Sequence, residues 1–153
     1  MLTLKEITQV KIVTVFVNDS KLRRKIVCSE EKIWKRLIRK KLSVLGIPLA
    51  LQGEIIALVK PITLDVDFWR RDHDGIFTTK QEFSLKFCFH YDGTVDRIKT
   101  ADLLIRSKWL SVRTRFVLAC QYWSRWDVLT FFENSHEQQE IEFYASIRKK
   151  TKD

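Results

Sequence analysis

SEEKIWKRLIRKKLSVLGIP, residues 29–48, carries a helix start, a stripe and a stop. Ser29 is a candidate N-cap. Trp34, Leu37, Ile38, Leu42 and Leu45 recur at helical spacing, which marks one buried face. Gly46 and Pro48 supply the usual C-terminal punctuation. On a wheel of about 100° per residue, Lys32, Lys35, Arg36, Arg39 and Lys40 crowd the opposite arc. Lys41 falls on the apolar side and has to snorkel. The segment predicts an amphipathic helix with one greasy side and one cationic side.

The same grammar of polar cap followed by apolar stripe repeats outward from there. Thr3 with Glu6 reads as a capping box before Leu4, Ile7, Val10 and Val13. β-branched residues crowd positions 10–17 and weaken the second half of that helix. A short segment after Ser20 has Leu22 and Ile26 one turn apart. Residues 52–60 and 62–72 read as two helices split by Pro61, which lacks a backbone donor. Asp74-Gly75 and Asp92-Gly93 read as turns. Further helices are expected from Val95 to Ile105, after Ser111 with Val112, Phe116, Ala119 and Cys120, after Ser124 with Asp127, and after Ser135. Short links between these last four imply antiparallel neighbours, a helical-hairpin array over 94–150.

Residues 83–91, FSLKFCFHY, resist that grammar. Phe83, Leu85, Phe87, Phe89 and Tyr91 alternate as in a strand. No partner strand is visible, and an isolated strand leaves its backbone unpaired; Thr79 with Glu82 also looks like a helix start. Helix is the expectation, with strand left open.

Composition agrees with an all-α reading. The chain has 153 residues, 45% hydrophobic, with four Gly and two Pro. That shortage of turn formers argues against a loop-rich or sandwich fold. No composition break marks a second domain, so 1–153 is expected to be a single helical domain with a basic segment at 20–45. No two glycines are close enough for a phosphate-binding loop or a nucleophile elbow. Three widely spaced cysteines (Cys28, Cys88, Cys120) cannot close a disulfide framework. With no signal-like or membrane-spanning run, an intracellular protein, cytoplasmic or nuclear, is expected.

Residues 114–133, TRFVLACQYWSRWDVLTFFE, resemble the helix pair of an ankyrin-type repeat at Thr114, Phe116, Leu118-Ala119-Cys120, Tyr122, Val128 and Phe131. They depart from it at Arg115, Val117 and Trp123. Asp92-Gly93-Thr94-Val95-Asp96, Lys99-Thr100-Ala101, Leu104-Ile105, Arg115-Phe116 and Leu118-Ala119-Cys120-x-Tyr122 resemble an expanded family of uncharacterised animal proteins. Both resemblances imply a helical scaffold for binding and supply no chemistry.

Charge is the strongest functional signal. Residues 21–41 hold ten Lys/Arg and two Glu, or +8 of the total +9. The candidate binding residues are Lys21, Arg23, Arg24, Lys25, Lys32, Lys35, Arg36, Arg39 and Lys40. Crowded cations repel, so an acidic partner relieves a standing strain. Trp123 and Trp126, flanking one helix start, are candidate aromatic anchors. A protein with an acidic surface is the expected partner, and RNA or DNA the alternative on the same cations. A solvated surface or an import patch is the plainer reading of such a run.

Metal and catalytic readings are weak. Asp72-His73-Asp74 diverges in regular structure, and Cys88 and His90 share a face only in a strand. His136-Glu137-x-x-Glu140 has Glu140 where a zinc helix needs its second histidine. The three histidines are scattered, and Cys120 lies in an apolar stripe as a small core residue. No cofactor, no metal and no enzymatic activity are expected.

Overall fold

The structure is a computed structural model that describes residues 2–122, 124, 126–131 and 133. Its order is α1 (Leu4–Asn18), α2 (Ser20–Cys28), α3 (Glu31–Val44), α4 (Leu49–Asp72), α5 (Thr79–Ser84), α6 (Arg97–Ile105) and α7 (Val112–Gln121). Residues 126–131 are also helical. The protein is all-α, as its sequence predicts, with no strand among the described residues. The chain divides into two compact units, 1–100 and 101–153. The boundary falls inside α6, which is why no linker marks it in the sequence.

In the first unit α1 packs most extensively on α4, with α2 and α3 also against α4. α1 contributes Val10, Val13, Phe16 and Val17, and α4 contributes Ile55, Ile56, Val59, Ile62, Val66 and Trp69, all buried. Thr3 and Glu6 form the expected capping box. The β-branched stretch stays helical to Asn18 because Val10, Val13 and Val17 all face the core, and packing outweighs propensity. Asp19 then breaks the chain. Its N–H bonds Val15 and Phe16 carbonyls, while its carboxylate accepts from the N–H groups of Lys21 and Leu22.

Three local expectations need correction. Pro61 does not split α4, which runs unbroken from Leu49 to Asp72. Both halves of that helix bury residues in one core, and Ala57, whose carbonyl the proline leaves without its helical donor, is exposed to solvent. Ser29 does not cap α3. It closes α2, and Glu30 precedes α3 with no side-chain cap. The capping box of α5 is Thr78 with Gln81, one residue before the expected pair.

Residues 85–90 are extended instead of helical, with one antiparallel bridge from Phe89 to Val95, and Tyr91 begins the turn. The alternation is real: Leu85 and Phe87 are buried, and Lys86 between them is exposed. Side chains take the place of a neighbouring strand. The Asn18 amide donates to the Phe87 carbonyl at 2.8 Å and accepts from its N–H at 2.9 Å. The Thr100 hydroxyl receives the Cys88 N–H at 3.0 Å. Gly93 makes the return turn at φ +90°, where a Cβ would lie 2.7 Å from Ile62 Cδ1, so no other residue fits there without strain.

In the second unit Ser111 caps α7 by accepting from the Thr114 N–H at 3.1 Å. Thr114, Leu118 and Ala119 are buried. Cys120 is exposed, so it is not the core residue its stripe suggested. Phe116 and Phe131 meet edge to face at 6.2 Å, and Arg115 lies over the Phe131 ring. Ser124 hydrogen-bonds Asp127 at the start of 126–131. The helix expected after Ser135, and with it the end of the 94–150 array, lies outside the described residues.

Candidate interaction surface

The cationic run is divided between α2 and α3, and the two helices treat their charges differently. α3 buries Trp34, Ile38 and Leu42 against the protein. That fixes the rotation of the helix and turns Lys32, Arg36, Arg39 and Lys40 outward, all exposed. These four span an arc of about 100° and about 12 Å of helix length. No ion pair joins any of them to a carboxylate among the described residues. Separations of this order are comparable to the Debye length of about 8 Å at physiological ionic strength, so the four fields add.

Lys35 stands apart from them. It pairs with Glu31 one turn earlier, lies 5.8 Å from the centre of the Trp34 ring and is half-buried. Its hydrogen bond holds the Glu31 carboxyl below the usual range. Lys41 is half-buried on the flank, as its place on the wheel requires.

In α2, Lys21, Arg24 and Lys25 are exposed, with Arg24 lying 5.0 Å over the Phe83 ring. Arg23 belongs to the interior. It is 6% exposed, donates to the carbonyls of Val17 at 2.9 Å, Leu85 at 3.1 Å and Phe83 at 3.3 Å, and lies 5.2 Å from the Phe87 ring centre. Burial, with the charge of Arg70 adding to it, pushes its pKa down to about 10, still charged at neutral pH. Arg23 therefore serves the fold and cannot meet a partner.

Of the aromatic anchors, Trp126 is 82% exposed, whereas Trp123 lies outside the described residues. Trp34 is buried, so its ring offers no stacking platform beside the α3 cations. Two features escaped the sequence reading. Ile33 and Val44 are 51% and 81% exposed and border the cationic arc next to Lys40, giving it an apolar flank. Neither fits the buried stripe, and that mismatch is the signal that could have exposed them.

His73 is buried, stacked 3.8 Å from Trp69, and its Nδ1 lies 2.6 Å from the Trp69 carbonyl. Cys88 and His90 do share a side of the extended segment. Burial first, then Asp96, pushes the Cys88 thiol up, away from the thiolate a metal needs. Among the described residues no cluster of three His, Cys, Asp or Glu could hold a metal ion, and no helix is long and apolar enough to cross a membrane. No family model, curated protein or solved structure matches the chain.

Proposed function

We propose that this chain is a non-enzymatic protein-interaction module whose α3 face binds a protein with an acidic surface. One observation carries the reading: Lys32, Arg36, Arg39 and Lys40 stand exposed on one side of a helix whose other side is fixed in the core, and no carboxylate of the described chain pairs with them. Charges held apart on a rigid helix are pre-organised, so a partner loses little entropy in meeting them. The apolar flank at Ile33 and Val44 gives a contact that excludes water beside the charges, as protein interfaces do. The resemblance of 114–133 to an ankyrin-type helix pair belongs to the same reading, as a binding scaffold.

The buried position of Trp34 weighs against the nucleic-acid alternative, because sequence-tolerant binding of single strands leans on exposed aromatic rings. The test is a titration of labelled poly-glutamate, single-stranded RNA and duplex DNA at about 50 and 200 mM salt. The expected result is saturable binding of poly-glutamate that persists at the higher salt more than either nucleic acid does. It should fall at least about tenfold when Lys32, Arg36, Arg39 and Lys40 become Glu. Tighter binding of RNA or DNA, lost in the same variant, would replace this reading with the nucleic-acid one. Binding of none of the three would end both.

A further inference from the structure

The extended segment 85–90 has two edges. On one, His90 N–H donates to the Thr94 carbonyl at 2.8 Å and Asp96 N–H donates to the Cys88 carbonyl at 2.9 Å, flanking the Phe89–Val95 bridge. In an antiparallel pair of this kind the N–H and C=O of the bridged residue point the other way. On that other edge Phe87 has both backbone groups bonded to the Asn18 side chain at the end of α1. Two residues further on, the N–H and C=O of Phe89 point the same way and have no partner among the described residues. An amide from α1 fills one rung of the ladder, and the next rung is open.

That open rung faces a groove of about 1180 Å³ between α1 and residues 86–91. Val15 (60% exposed) and Tyr91 (68% exposed) give it apolar walls. Lys11, Lys21 and Lys86 line it, all exposed. Among the described residues Asp19 is the only carboxylate in the lining, and it is engaged in capping α2. Unpaired strand edges invite strand addition, and lysines beside an edge repel a second basic chain. With a net charge of +9, another copy of this protein is a poor occupant. An acidic strand is a good one.

We propose that this groove binds an extended acidic peptide of a partner protein, which adds a strand along the edge at Phe89. Main-chain bonds to the Phe89 N–H and C=O give the register, and alternate acidic side chains meet Lys11, Lys21 and Lys86. This site is separate from the α3 face and does not depend on it.

The probe is a fluorescent peptide, Glu-Thr-Glu-Val-Glu-Thr-Glu, titrated by anisotropy into the full chain. It should bind saturably, and N-methylation of its central residues should weaken binding about tenfold or more, because the peptide loses backbone donors while keeping its charge. Lys11→Glu and Val15→Trp, both at exposed positions, should each weaken it several-fold. The fourfold α3 charge reversal should leave the N-methylation-sensitive part of the binding unchanged. Equal affinity for the N-methylated peptide, or no saturable binding, would overturn the proposal. Loss of binding only in the α3 variant would place the peptide on α3 and also overturn it. Sedimentation showing a dimer that the peptide dissociates would assign the edge to a second copy instead.

Discussion

In α2 the guanidinium of Arg23 turns into the protein and bonds three carbonyls, whereas in α3 Arg36 and Arg39 stand in solvent. The residue type is the same, and both helices are rich in positive charge. What differs is the neighbourhood. α2 lies beside an extended segment whose backbone has no sheet to pair with, and a planar fork of donors satisfies several such carbonyls at once. No carbonyl among the described residues accepts a hydrogen bond from Arg36 or Arg39, and both keep their hydration. A cation in this protein is structural where the chain leaves carbonyls unmet, and available for binding where it does not.

The sharpest break in that comparison is Arg23→Ala. Removing the guanidinium leaves the carbonyls of Val17, Phe83 and Leu85 short of donors in a buried setting. Urea unfolding should show a loss of about 3 kcal/mol, since buried charged hydrogen bonds are costly to break from one side. Arg23→Lys should recover only part, because one ammonium cannot span the three acceptors. A loss no greater than that of Arg39→Ala would erase the distinction between the two helices.

Asn18→Ala tests the same segment from its other support. It strips both hydrogen bonds from Phe87, and a loss of about 2 kcal/mol is expected in the same measurement. Amide exchange at Phe87 should accelerate more than exchange in α3.

These two side chains also explain why part of the fold was legible in sequence and part was not. The Thr3–Glu6 box and the stripe of Trp34, Leu37, Ile38, Leu42 and Leu45 are local signals. The structure has the box and buries Trp34, Ile38 and Leu42, while Leu37 is half-buried and Leu45, just past the end of α3, is exposed. Segment 85–91 broadcast its alternation just as clearly. An isolated strand leaves its backbone unpaired, however, and here Asn18 and Arg23, some 60 or more residues earlier, satisfy Phe87 and Leu85. Arg23 reads as one more surface cation for the same reason: adjacency in sequence cannot show which cation has carbonyls to meet. Cys120 sat in an apolar stripe, yet Leu118 and Ala119 take the buried side of α7. Which face of so short a helix turns inward is set by its neighbours. For the candidate surface, the α3 cations were legible because the stripe that opposes them is unambiguous. The groove edge at Phe89 was invisible because it is backbone.

His73 extends the comparison to a group that can lose its charge. Arginine keeps its proton when buried and must be bonded; histidine can be buried neutral. Burial lowers the His73 pKa, opposed by its contact with the Trp69 carbonyl. With the folded value below the ordinary 6.5, the neutral ring stabilises the fold above about pH 6.5. That contribution is lost as pH falls through 6.5 toward the folded value, because the unfolded chain takes up the proton first. The urea midpoint should therefore decline from pH 6.5 to about 5, before Glu6, Glu54, Asp92 and Asp96, all held below their usual ranges, begin to protonate. His73→Phe keeps a ring beside Trp69 and should flatten that slope. An unchanged slope would assign it to other groups.

The smallest effect on stability belongs to the charges proposed to matter most for binding. Neutralising Lys32, Arg36, Arg39 and Lys40 together to Gln removes no ion pair with a described carboxylate and uncovers no buried group. Helix propensity changes little, since Lys, Arg and Gln rank closely. Relief of like-charge repulsion along the face should raise the unfolding free energy slightly or leave it unchanged, within about 0.5 kcal/mol. The gain should shrink in high salt, where the original repulsion is screened. Binding of poly-glutamate should nonetheless fall about tenfold or more. A variant that lost both stability and binding would show these cations to be supports of the fold, as Arg23 is, and the contrast between the two helices would no longer separate structure from function.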